Sequence, residues 1–267
     1  MPVNTVKKGA IEYLVADNIS TVHCFTTRLG GVSQGYLASM NLGLHRGDDP
    51  ENVRQNYQIL TDALGIQPED LVLTKQIHSD IIRKVGHADQ GLYMTEGATP
   101  ECDGLITNEP GTALVIFSAD CTPILLWDPV TGAVGACHAG WRGTAASIAG
   151  KTAQAMIREF GCKAEDLRAA IGPNISVCCF ETTDDVPTAM LEAFGEDARP
   201  FIHPTGEKFH VDLKEINALS LKQVGVQNIE IAPHCTCCDP DRFWTHRKMG
   251  DRRGAQGAVI VCKEAKK

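Results

Sequence analysis

Apolar positions along the chain follow two periods. Over residues 49–64, Val53, Tyr57, Leu60 and Leu64 recur three or four apart, Pro50 suits a first helical turn and Gly65 stops it, so the stretch predicts a helix. Short, continuously apolar runs rich in β-formers predict strands at 71–74, 81–85, 112–117, 123–127, 133–137, 167–171, 229–232 and 258–262. A helical stretch is predicted from the glycine-rich segment 138–144 to Phe160. Another opens at Asp212, where Glu215 three residues on resembles a capping box, and runs to about residue 223. Strands and helices are interspersed without regular βαβ alternation, which predicts an α+β domain with mixed sheets rather than a Rossmann or barrel fold. No repeat, low-complexity tract or polar linker divides the chain, so residues 1–267 are expected to form a single domain.

Composition is ordinary for a globular protein, with 43% hydrophobic and 22% charged residues, and narrows function mainly by exclusion. A formal net charge of −8 speaks against a nonspecific grip on nucleic acid or anionic membrane, so any bound anion must be held by a local pocket. No run approaches the ~18 apolar residues of a membrane span. The opening M-P-V-N-T-V-K-K-G lacks an apolar signal core, so the chain is expected to be cytoplasmic; it is separately expected to be a monomer. Eleven cysteines, an odd number at irregular spacing, do not read as a secreted disulfide framework; most are expected to be small core residues.

Three side chains stand where predicted strands end: His78 between two strands, Cys121 between two more, and His138 closing another. Two imidazoles and a thiolate are a good set for a zinc-type ion, leaving a fourth position for water or substrate. The same donors suit copper. The chain has no H-x-H pair, no H-C-H run and no Met within a few residues of His138, which disfavours multicopper oxidation. A metal-free alternative pairs Cys121 as nucleophile with His138 as base, oriented by Asp103 or Asp120, and leaves His78 without a role. Asp103 and Asp120 are also acid or base candidates, with turn or core roles equally available to both.

Arg142, beside the glycines of 140–143, and Arg28, in the turn T-T-R-L-G-G-V-S, suggest anion contacts, as do Arg247, Arg252 and Arg253 near the end. A rival metal site, Pro233-His234-Cys235-Thr236-Cys237-Cys238, has zinc-like C-x-x-C spacing but no second C-x-x-C or H-x3-H to complete four ligands. Its P-C-x-x-C lacks the upstream H-x-E of the zinc nucleobase deaminases. Adjacent Cys178-Cys179 is assigned to packing.

Read in order, T-T-R-L-G-G-V-S with S-M-N-L-G, Q-I-H-S-D, C-D-G-L-I-T with S-A-D-C-T-P-I, and C-H-A-G-W-R-G-T resemble the YfiH/laccase-domain family. Its members are called purine nucleoside phosphorylases and were formerly multicopper polyphenol oxidases. The later I-G-P-N-I-S-V-C-C-F-E and C-T-C-C-D-P-D-R-F-W-T-H-R fit as well, so the resemblance spans about residues 26–261. It implies a layered α/β/β/α domain akin to bacterial toxin deamidases, and zinc held by His78, Cys121 and His138. It implies phosphorolysis of adenosine, inosine, guanosine and S-methyl-5′-thioadenosine, and deamination of adenosine, with Arg28, Asn41 and Arg142 as nucleoside or phosphate contacts. Some relatives are described as peptidoglycan editing factors, which links the metal-free reading to an amide in a cell-wall precursor. Two departures, His246 in place of an expected serine and Lys75 beside the site, bear on loop detail.

Overall fold

The computed structural model describes residues 3–92 and 99–264. Helix α1 (Pro50–Leu64) forms where the periodicity predicts it. Asp49 accepts from the Glu51 amide at 2.9 Å, and Gly65 ends the helix at φ 71°, a left-handed conformation that strains any residue with a Cβ. Its buried stripe of Val53, Tyr57, Leu60 and Leu64 packs on Ile11, Tyr13, Val115, Val259 and Val261.

Those partners lie on a six-stranded sheet whose order is β1 (Val3–Lys8), β2 (Ile11–Ala16), β3 (His23–Thr26), β15 (Gln256–Val261), β7 (Ala113–Ser118) and β4 (Leu71–Val72), strands being numbered along the chain. A second six-stranded sheet runs β14 (Asn228–Ile231), β10 (Arg168–Ile171), β8 (Thr122–Trp127), β9 (Val134–Ala139), β6 (Gly104–Thr107) and β5 (Ile82–Lys84). The pairs β4–β7, β10–β14 and β5–β6 are parallel and the other pairs antiparallel, so both sheets are mixed.

Alternation of side chains along each strand separates the cores. On β7, Leu114 and Ile116 enter the core between the sheets while Ala113 and Val115 face α1. On β8, Leu125 joins the same central core, and Ile124 and Leu126 pack with Ile148, Ala153 and Met156 of α3 (Ile148–Phe160) and Ala218 and Leu221 of α5 (Leu213–Val224). The result is a single α+β domain in four layers: helix, sheet, sheet, helices.

Three features depart from the expected elements. The strand at 71–74 pairs over only Leu71–Val72. The helix after His138 is two helices, α2 (Trp141–Ala145) and α3, broken at Ser147 (φ 59°), whose hydroxyl bonds that of Ser220 at 2.7 Å and sets α3 against α5. A satellite core joins α4 (Asp185–Phe194) to a small sheet of β11 (Glu181–Thr182), β13 (Lys208–Val211) and β12 (Ile202–Thr205). Its strands are short and half-exposed, so they carry little periodic signal. A last short helix, α6 (His246–Met249), precedes β15. Among the described residues no helix is long and apolar enough to cross a membrane.

Two passages from the first sheet to the second position the site. The segment after β4 crosses to β5 carrying His78, and the turn after β7 crosses to β8 carrying Cys121. Gln76 ties them together: its amide donates to the Phe117 carbonyl at 2.8 Å and accepts from the Phe117 amide at 2.6 Å. His138, on β9, pairs with Pro123 of the neighbouring β8 and so arrives at the same end.

Candidate metal centre

Side-chain donor atoms of His78, Cys121 and His138 lie within 4.8 Å of one another. The Cys121 Sγ is 3.9 Å from the His78 Nε2, close to the about 3.6 Å edge expected of a tetrahedral zinc site with one sulfur and one nitrogen. The two imidazole rings stand edge to face, centroids 4.9 Å apart. His138 is buried, Cys121 half-buried and His78 exposed, so the cluster is closed behind and open in front. Gly140 makes room for it: a Cβ there would sit 2.9 Å from His78 Cδ2 and 3.2 Å from Cys121 Sγ.

Asp103 organises the three donors from beneath. Fully buried, its carboxylate accepts from the backbone amides of Ile77 (3.2 Å), His78 (3.1 Å) and Ser79 (2.7 Å), from the Ser79 hydroxyl (2.8 Å) and from His138 Nδ1 (2.9 Å). These amides hold His78 at φ 60°, a left-handed backbone that aims its ring at the centre. The bond to Nδ1 fixes the His138 tautomer and leaves Nε2 for the site. Burial works to raise the Asp103 pKa, but the hydrogen bonds from His138 and Ser79 outweigh it and bring it down to about 2. Burial likewise opposes the Cys121 thiolate, yet the His138 and His78 imidazoles carry that thiol below its ordinary range. His138 moves the other way: burial disfavours its charge, but Cys121 and Asp103 outweigh burial and raise it.

Asp120 turns out to be a turn residue. It adopts φ 89°, and its two carboxylate oxygens accept from the Thr236 hydroxyl and the Arg247 amide, both at 2.6 Å. Each oxygen is thus engaged in pinning the turn, and Asp120 does not line the cavity in front of the three donors.

The three donors border a cavity of about 620 Å³, within the range typical of small-molecule sites. Leu44, Leu73 and Phe117 give it apolar walls, and His45, Arg46, Lys75 and Arg253 give it basic ones. Lys75 is neutralised by Glu101 at 2.8 Å. Arg253 is different: its Nε and Nη1 are buried with no hydrogen-bond partner. Burial and then the neighbouring Arg46 charge lower its pKa. The residue as a whole is half-buried, and guanidinium donors shut off from water without an acceptor are costly unless an anion completes them.

The motif residues expected to touch substrate lie elsewhere. Arg28 stacks on Trp244 at 4.0 Å and donates to the carbonyls of Ala38 and Pro240, so its guanidinium clamps loops outside the cavity. Asn41 is fully buried; its Oδ1 accepts from the Gly43 and Ala255 amides at 2.9 and 3.0 Å, and its Nδ2 donates to Asp48 at 2.8 Å. It shapes the wall, because Gly43 and Ala255 line the cavity. Arg142 is exposed over the Trp141 ring at 4.2 Å and is not part of the lining. Of the late arginines it is Arg253 that faces the cavity; Arg247 donates to the carbonyls of Cys179 and Glu181. The expectation that Cys178 and Cys179 only pack, and that Cys235 and Cys238 lack partners, is overturned: all four thiols meet in one cluster.

Comparison with known proteins places this geometry in context. Residues 22–263 match the family model described as multi-copper polyphenol oxidoreductase laccase. The chain is 39% identical over 261 residues to a purine nucleoside phosphorylase of Bacteroides thetaiotaomicron, covering 94% of this chain and 95% of that protein. It is 33% identical over 245 residues to the adenosine deaminase RL5 of an unknown prokaryote, covering 90% and 93%. The crystal structure of Bacillus licheniformis YfiH superposes with a TM-score of 0.90 at 31% identity, covering 98% of this chain and 99% of that one.

Proposed function

The chain belongs to the multi-copper polyphenol oxidoreductase laccase family, and from that premise we propose that it is a zinc-dependent enzyme of purine nucleosides. The reactions are phosphorolysis of adenosine, inosine, guanosine and S-methyl-5′-thioadenosine, and hydrolytic deamination of adenosine. The observation that carries this reading is the open His78, Cys121 and His138 cluster in the same cavity as the half-buried Arg253, whose Nε and Nη1 lack hydrogen-bond partners. The purine nucleoside phosphorylase and adenosine deaminase among its relatives supply the substrate class.

His78, Cys121 and His138 would hold the ion, and the donor set fits zinc: two nitrogens and one sulfur, the Cys121 Sγ to His78 Nε2 separation near a tetrahedral edge, with the side toward the cavity left open. A zinc ion there would supply Lewis acidity and lower the pKa of water for deamination. Arg253, assisted by Arg46, holds phosphate, which returns to the guanidinium the hydrogen bonds it lacks. A phosphate oxygen then bonds to C1′ of the ribose as the glycosidic C–N bond breaks, and the bonding pair leaves with the purine. Fixed donors beside the developing charge are the main source of acceleration in such a site. Phe117, Leu44 and Leu73 form the apolar surface for the base. Asp103 does not touch substrate; it keeps His78 and His138 aimed.

The test is product analysis after incubation with adenosine, with and without phosphate. Adenine with ribose 1-phosphate is expected only when phosphate is present, and inosine in either case. Absence of all three from folded, zinc-replete protein refutes the reading.

A second reading rests on the Asp103, His138 and Cys121 order of contacts, which is that of a thiol hydrolase. It predicts that alkylating Cys121 abolishes cleavage of an amide while chelators leave it intact. Copper oxidation of polyphenols has less support. Among the described residues only two groups of metal-type donors occur, and only one contains imidazoles.

A further inference from the structure

Strands β10 and β14 are parallel neighbours in register from Arg168 with Asn228 to Ile171 with Ile231, so the chain leaves the sheet twice at one place. The two exits stay together, since Thr236 donates its amide to the Asn174 carbonyl at 2.9 Å. Cys178 and Cys179 come from the first exit and Cys235 and Cys238 from the second. Their four sulfurs lie within 4.8 Å of one another. The sulfurs are 3.4 Å (Cys179 to Cys238), 3.5 Å (Cys178 to Cys238) and 3.8 Å (Cys178 to Cys179) apart.

Those separations are far beyond the ~2.05 Å of a disulfide, and all four are free thiols. They sit near the ~3.8 Å edge of a sulfur tetrahedron around zinc with Zn–S of about 2.3 Å. The surroundings suit a cluster of thiolates. The Ser176 amide donates to Cys235 Sγ at 3.3 Å. The buried Lys214 ammonium stands beside the cluster, tied to the carbonyls of Ala232 (2.7 Å) and His234 (2.8 Å) and the Ser176 hydroxyl (2.9 Å). Cys178 and Cys238 are exposed, which gives an ion a way in, whereas Cys237 is buried against Ile175 and takes no part.

We propose that Cys178, Cys179, Cys235 and Cys238 form a second metal site, a closed tetrathiolate centre for one zinc ion that staples the two exits together. Soft sulfur donors select zinc over the hard alkaline-earth ions, and four protein ligands leave no position for substrate, so the site is structural. The staple bears on the first centre through the turn before Cys121. Asp120 in that turn accepts from the Ile175 amide at 2.9 Å on one stapled loop and from Thr236 at 2.6 Å on the other. The existence of the second ion is independent of the reading of the first centre; its effect on Cys121 rests on that reading.

Metal analysis of the purified whole chain tests this directly. Wild type is expected to carry two zinc ions, and both the Cys121→Ser and the Cys178→Ser/Cys238→Ser variants one. Cobalt loaded into Cys121→Ser should show the intense charge-transfer and visible bands of a tetrahedral tetrathiolate complex, a readout that needs neither activity nor a mutated cluster. A melting temperature several degrees lower is expected when the second site is stripped. A wild type with a single zinc that Cys121→Ser removes overturns the proposal. So does a cobalt spectrum without four-sulfur character, or iron in place of zinc on these thiolates. Loss of nucleoside turnover with two zinc ions retained counts against the proposed activity and leaves the second site standing.

Discussion

Replacing Asp103 with asparagine removes one charge and changes almost no volume, yet it strikes the two imidazole donors together. One oxygen of the carboxylate serves His138 Nδ1 and the His78 amide, and the other serves Ile77 and both donors of Ser79. An asparagine offers a single acceptor oxygen, so one of these groups of donors is left facing an NH2. The folded chain holds the Asp103 pKa at about 2 against an ordinary 3.8. At ~1.36 kcal/mol per pH unit this corresponds to a stabilisation on the order of 2 kcal/mol favouring the ionised folded state. Because the folded pKa is the lower one, that stability is fully present above pH 3.8 and is lost as pH falls through about 2. Together with the orphaned donors, Asp103→Asn is expected to cost about 2–4 kcal/mol at pH 7, read by urea unfolding of the metal-free protein. Zinc affinity, measured by competition with a chromophoric chelator, should fall roughly 10–100-fold. A variant that binds zinc within about twofold of wild type and loses less than ~1 kcal/mol shows that Asp103 does not position the donors.

Other residues give separable expectations. Gly140→Ala places a methyl against His78 and Cys121, and should weaken zinc binding at least about tenfold with little change in far-ultraviolet circular dichroism. Arg253→Leu should raise the KM for phosphate by about tenfold or more while leaving thermal stability equal or higher, since it removes a half-buried cation with two unmet donors; an unchanged phosphate KM refutes its role. His23 is buried as a neutral ring, accepting the Ala16 amide on Nε2 and donating from Nδ1 to the Thr21 carbonyl, both at 2.8 Å. Burial lowers its pKa below 6.5, so its contribution is present above pH 6.5 and lost as pH falls through the lower folded value. His23→Leu should cost about 1–3 kcal/mol at pH 7 and flatten the fall of melting temperature between pH 7 and 5; an equal slope in both proteins contradicts this.

Local pattern revealed what local physics decides. The stripe of α1 with its Pro50 and Gly65, and the apolar strands β7, β8 and β9, follow from periodicity because each element meets a single apolar layer or is buried on both faces. Donor chemistry alone singled out His78, Cys121 and His138, but their meeting depends on two crossings between sheets that spacing along the chain does not encode. The thiol cluster was hidden for a related reason. Cys179 and Cys235 are far apart in sequence and are joined by the parallel pairing of β10 with β14. Arg28 and Asn41 sit in motifs that carry the family resemblance, yet what the motifs specify there is a loop: a guanidinium stacked on Trp244 and an amide bonding two strand-flanking loops. Asp103 shows another case: the sequence offers it beside Asp120 as a group that could orient His138, but its hold on the His78 segment shows only when five donors are seen to converge on it.

Anomalous diffraction at the zinc absorption edge, from crystals of the wild-type protein, tests the central claim most directly. A peak bonded to His78, Cys121 and His138 at about 2.0–2.3 Å, facing the Arg253 cavity, is the predicted result. Zinc-replete crystals with no anomalous density between those three side chains contradict it.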